Sequence, residues 1–100
     1  MASTLRVSTS ELRKKAQELR DLNSKFHNEV AGLNDREATL CTMWEGEAKE
    51  AFNNQFQIDR EKFEVFYKGI EQYVERLNAD ADQYDKAEAE NVSIAQTRKA

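Results

Sequence analysis

No proline interrupts this sequence, and glycine occurs only three times. A β-rich fold needs turn residues every few positions, so that class is excluded. Long helices are favoured, because their hydrogen-bond ladder tolerates neither residue well in its interior. The one cysteine, Cys41, excludes an intrachain disulfide and fits folding in a reducing cytoplasm. The one histidine, His27, together with that cysteine, falls short of the about four ligands a zinc site needs. No apolar run approaches the ~18 residues of a membrane span. Positive charge is in deficit: 15 Lys and Arg stand against 19 Asp and Glu, for a net charge of −4. With no dense basic stripe, nucleic acid is not an expected partner. The opening residues Met1 to Arg6 lead into polar positions instead of an apolar core segment, so no cleaved signal peptide is expected. Nor is there a nucleophile–base set, a glycine-rich phosphate loop or a metal-ligand cluster. The expectation is a protein that is not an enzyme and takes no metal and no cofactor.

What is present is helical periodicity. Hydrophobic residues make up 39%, too many for a fully disordered chain. Residues 1–7 read as a loosely held arm. Ser8 and Glu11 have the spacing of a capping box, and Val7 and Leu12 that of a hydrophobic staple, so a helix is expected over 8–41. Along it Leu12, Leu19, Phe26, Leu33 and Leu40 recur every seventh residue. A second lane, Ala16, Asn23, Val30 and Glu37, interleaves with the first. Asn23 either fixes register, as a buried Asn does, or sits at a wet edge. Glu37, close to the turn, is expected to be solvated.

A turn over 42–46 centres on Trp44, the only tryptophan, and Gly46. A second helix is expected over 47–89, with Glu47 and Glu50 favouring its N-terminal dipole. Thr42 and Glu45 offer a rival capping box one turn earlier. Phe56, Phe63, Ile70, Leu77 and Tyr84 repeat every seven residues. Phe52, Phe66 and Tyr73 occupy a neighbouring lane, and Tyr67, Val74 and Ala81 widen the stripe. Residues 90–100 lose the periodicity and read as a flexible tail.

With so short a connection the helices must fold back antiparallel. Folding about Trp44 sets Leu33 opposite Phe52 and Phe56, Phe26 opposite Phe63, Leu19 opposite Ile70, and Leu12 opposite Leu77. Two helices cannot enclose a core, and the three apolar lanes of the second helix are wider than one partner covers. The expected architecture is therefore all-α: a hairpin that dimerises into a four-helix bundle. Its core would be built from Leu12, Leu19, Phe26, Leu33, Phe52, Phe56, Phe63, Phe66, Ile70 and Leu77. A homodimer is the simplest form, and a pair with a paralogous hairpin protein is the rival.

A chain of this length with two helices, a central Trp44-Glu45-Gly46 and a later Tyr84-Asp85-Lys86-Ala87-Glu88 resembles the WXG-hundred family. These are the ESAT-like small substrates of type VII secretion. The opening from Val7 to Leu12 is most similar to the homodimeric branch of Gram-positive bacteria. The resemblance implies export in folded form, without signal cleavage, by a membrane ATPase-driven machine. It also implies a two-part export signal, with Trp44 and Gly46 of one chain acting beside Tyr84 and Glu88 of its partner. Plainer readings stand beside these: Trp44 as a clamp on the turn, Gly46 as a positive-φ position, Tyr84 as a core-facing ring, Glu88 as a solvated acid. The acidic run Asp80, Asp82, Asp85, Glu88 and Glu90 is spread around the helix, so it reads as a solvated face and not as a metal site. An intracellular chaperone or targeting partner for a larger co-secreted effector is the second functional class. A membrane-active helix pair is the third, disfavoured by the lack of a Lys/Arg-rich polar face.

Overall fold

The computed structural model describes residues 8–99. The expected arm over 1–7, with the Val7 half of the staple, lies outside the described residues. Two helices make up the fold: α1, Thr9–Thr42, and α2, Glu47–Lys99. They pack antiparallel into a rod of 82 × 23 × 17 Å. Ser8 is the N-cap of α1: its backbone is extended and its hydroxyl accepts the Glu11 N–H at 3.3 Å. That satisfies one of the amide donors a helix start leaves orphaned. Thr42 ends α1 and starts nothing; its hydroxyl donates back to the Thr39 carbonyl at 2.6 Å.

The innermost seam is not the one the large apolar residues suggest. Ala16, Asn23 and Glu37 of α1 and Val74 and Ala81 of α2 are the buried residues. These are the interleaving lane of α1 and the widening lane of α2, each at seven-residue spacing. Alanines and a valine let the two axes come close, whereas leucine and phenylalanine would hold them apart. The lane of Leu12, Leu19, Phe26 and Leu33 instead flanks the seam. Beside it run Phe56, Phe63, Ile70 and Leu77, half-buried, and Phe52, Phe66 and Tyr73, exposed. Phe26 joins the two helices on this side, edge-on to Phe63 at 5.9 Å and to Phe66 at 5.5 Å. The hairpin thus carries one broad apolar face that it does not cover: Leu33 is 46% exposed, Tyr73 55% and Phe66 57%.

Two polar residues in the seam correct the sequence reading. Asn23, 4% exposed, donates to the Tyr67 carbonyl and to Glu71, each at 3.0 Å, so it holds register and does not sit at a wet edge. Glu37 is only 7% exposed, because it falls on the innermost lane. The Cys41 thiol, one turn on, donates to its carboxylate at 2.9 Å.

Pairing across the hairpin also shifts towards the open end. Phe26 meets Phe63 as expected, but Thr9 and Arg13 reach Asp82 and Asp85, about two turns beyond the positions that folding about Trp44 assigns them. Side chains lean towards the N-terminus of their own helix. On α1 that is towards the open end and on α2 towards the turn, so the longest side chains meet the most displaced partners.

The tail expected over 90–100 is replaced by helix: α2 continues to Lys99. Ala87, Glu88, Ala89, Glu90, Ala95 and Gln96 are good helix formers, and no glycine or proline stops the ladder. Because Thr9, the first residue of α1, lies against Asp85, the last ~20 Å of α2 extend past α1 as a single helix, exposed as far as Thr97. None of the described helices is long and apolar enough to cross a membrane.

Asn23→Ala removes both seam hydrogen bonds and leaves a gap, and should cost about 1–3 kcal/mol. Denaturant titration at fixed chain concentration measures it, and an unchanged midpoint would contradict the register role. The hydrogen bond to Glu37, and then burial, push the Cys41 thiol above its ordinary pKa. Its reaction with a thiol reagent at pH 8 should be slow, and Glu37→Gln should speed it about threefold or more. Equal rates would show that the carboxylate does not hold the thiol proton.

Candidate functional site

The conspicuous residues of the sequence stand at the two ends of the rod. At the turn end, Trp44 is half-buried with its ring 5.6 Å from Phe52, which stacks in turn on Phe56 at 6.5 Å. Phe52 and Phe56 are one turn apart on α2, so this aromatic row ties the turn to the start of that helix. The clamp role of Trp44 is therefore real, and it leaves part of the indole accessible. Gly46 has φ +104°, the only positive φ among the described residues. A Cβ built there would meet nothing within 4 Å, so the requirement for glycine comes from the backbone and not from crowding. Its carbonyl accepts the Glu50 N–H at 3.4 Å, which starts α2. Glu45, Glu47 and Glu50, with Lys49, line a shallow hollow around it. The turn therefore presents an indole beside exposed backbone and a rim of acids.

At the open end, Tyr84 and Glu88 lie four residues apart on α2 and share one face. Both are exposed, Tyr84 at 38%. The tyrosine ring is thus not in the hairpin core, because Ala81, three residues earlier, is the last buried position of α2.

Between Tyr84 and Glu88 the structure reveals a contact that sequence reading missed. Both oxygens of Asp85 are taken by α1: Oδ1 accepts from the Thr9 hydroxyl at 2.7 Å, and Oδ2 from the Arg13 guanidinium at 2.8 Å. The same Arg13 Nη2 also reaches Asp82 at 2.7 Å. These donors hold the Asp85 carboxyl below the usual carboxylate range, the Thr9 hydroxyl being the first cause and Arg13 the second. The Asp82 and Asp85 part of the acidic run is therefore partnered by α1 and is not simply a solvated face. The available signal was charge at the two open-end segments, acidic on one helix and basic on the other. It could not be used without the pairing register.

Trp44 and Tyr84 are 40 residues apart along one helical path, which at helical rise separates them by ~60 Å. The hairpin does not bring the two motifs together. Elsewhere, an open groove lined by His27, Asn34, Arg60 and Glu64 among others has several of its polar groups paired with one another. His27 faces Glu64 at 3.3 Å and stacks on Tyr67, and Arg60 donates to Asn34 at 3.0 Å. Among the described residues no group of three or more His, Cys, Asp or Glu is placed to hold a metal ion.

Known proteins are similar to this chain in sequence. The curated relatives include the type VII secretion system extracellular protein A of Staphylococcus aureus strains USA300, Newman and NCTC 8325 / PS 47. Each is 28% identical to this chain over 78 residues, covering 78% of this chain and 80% of the relative. Residues 4–89, which hold both motifs, match the family described as proteins of 100 residues with WXG, and the chain belongs to that family.

Proposed function

We propose that this protein is a substrate of type VII secretion, exported as a folded dimer after folding in the cytoplasm, and that its export signal is composite. Trp44 and Gly46 of one chain and Tyr84 and Glu88 of its partner form one surface in this reading. The observation that carries it is the separation of the two motifs at opposite ends of a hairpin with an uncovered apolar face. A second copy packed antiparallel on that face would bury Leu33, Phe52, Phe66 and Tyr73. Each large side chain fully buried contributes roughly 1.5–3 kcal/mol. The same packing would set the open end of one chain beside the turn of the other, closing the ~60 Å gap at both ends of the bundle at once.

As a member of this family the chain is non-enzymatic. Its partners in this reading are a second copy of itself and the membrane ATPase of the secretion machine, and its destination is outside the cell. Relatives named as extracellular proteins of that system support the destination. A paralogous hairpin or a larger co-secreted effector could occupy the same apolar face, and the protein would then serve as that partner's chaperone.

Two measurements test the proposal. Light scattering of the protein expressed alone should give about twice the 11.6 kDa of one chain. Phe66→Asp should lower that mass, and a stable folded monomer would leave only the chaperone reading. In the producing cell, Trp44→Ala, Tyr84→Ala and Glu88→Ala should each cut the secreted fraction about tenfold while the dimer persists, a loss equivalent to about 1.4 kcal/mol of recognition. Deleting the ATPase should abolish secretion. Normal secretion of all three variants would reject the composite signal.

A further inference from the structure

We infer that Arg13 and Thr9 are positioning residues for the Tyr84–Glu88 motif: they latch Asp85 to α1 and so decide which way the motif faces. This rests on the export reading above and adds to it a dependence on the closed state of the hairpin's open end.

Ala16 on α1 and Ala81 on α2 are the last buried positions before the open end. Beyond them, among the described residues, the recorded ties between the helices are polar: Thr9 to Asp85, and Arg13 to Asp82 and Asp85. Asp85 is the second residue of the motif itself. With its carboxylate directed at α1, helical geometry places Tyr84 about 100° and Glu88 about 60° to the same side of it. The latch therefore fixes Tyr84 and Glu88 to one side of Asp85, with Glu88 on the continuation of the Val74 and Ala81 lane. Without it, this end loses its recorded polar ties and is held only by flanking contacts such as that of half-buried Leu12, so it splays more readily.

The latch is also well sited to report folding. Thr9 and Arg13 lie one turn apart at the very start of α1, behind the Ser8 cap. If α1 frays or is not docked, Asp85 loses both donors and the motif loses its fixed orientation. A surface ion pair adds little to global stability. At a helix end with few other ties, the same pair weighs more heavily on the local population. The motif is then fully presented only by a chain whose first helix is formed and docked.

The test is a double-mutant cycle in the producing cell, with Tyr84→Ala as the reference. Arg13→Glu and Asp85→Arg should each lower the secreted fraction about fivefold, and the pair together should return it to within about twofold of the parent, because the bridge is rebuilt with its charges exchanged. Helicity and dimer mass should be unchanged throughout, which a merely structural role would not give alongside the rescue. Thr9→Val, which removes one donor and no charge, should lower secretion by about twofold and serves where the charge reversals disturb assembly. Secretion of Arg13→Glu and Thr9→Val at the parental level, with Tyr84→Ala retained, overturns the latch and leaves the motif reading intact. A double variant no better than the worse single variant also overturns it. Parental secretion of Tyr84→Ala removes the motif reading, and the latch with it.

Discussion

Two helices cannot surround anything, and the rest of this structure follows from that constraint. The antiparallel pair buries a thin seam of Ala16, Asn23, Glu37, Val74 and Ala81, and leaves Leu33, Phe52, Phe66 and Tyr73 on an open face. The seam's small residues bring the axes close but contribute little apolar burial, while the large residues that would contribute most stand beside it. A chain of 100 residues built this way lacks a closed core of its own. Assembly on the apolar face would be the direct physical remedy, and the antiparallel pair of hairpins proposed above would cover it from end to end.

The same geometry explains why the two motifs sit where they do. A rod 82 Å long keeps the turn and the open end apart in every single chain. A receptor that needs Trp44 with Tyr84 would therefore find them together only in an assembled pair. The polar contacts at the open end add a second condition. Because Asp85 lies inside the motif and is held from α1, presentation of Tyr84 and Glu88 is coupled to docking of the first helix. Assembly and closure would then be read at one surface, with no moving part beyond a helix end.

Much of the fold was legible in the sequence because its signals are local. Ser8 marked the start of α1 through cap chemistry, Gly46 marked the turn, and seven-residue spacing marked both helices. What was not legible depends on how two patterned surfaces meet. Sequence identifies apolar lanes but not which lane points inwards, so the lane of leucines and phenylalanines was read as the seam when it flanks the seam. Glu37 looked solvated because it is charged and close to the turn, yet it falls on the innermost lane. The extension of α2 to Lys99 was missed because periodicity signals packing, and this segment is helical by propensity alone. The latch was invisible because Arg13 and Asp85 are 72 residues apart, and their meeting depends on the opposed lean of side chains on the two helices. Of the candidate site, Trp44, Gly46, Tyr84 and Glu88 could be named from the motifs, whereas Thr9, Arg13 and Asp85 needed the structure.

The central claim is that the export signal is completed across two chains, and mixed dimers test it most directly. Chains carrying Trp44→Ala and chains carrying Tyr84→Ala, expressed separately, each lack both composite surfaces. Expressed together, their mixed dimer keeps one intact surface, made of Trp44 from one chain and Tyr84 from the other. Secretion of both chains on co-expression, well above the roughly tenfold-reduced level each shows alone, is the predicted result. Retention of both chains despite formation of the mixed dimer would contradict it.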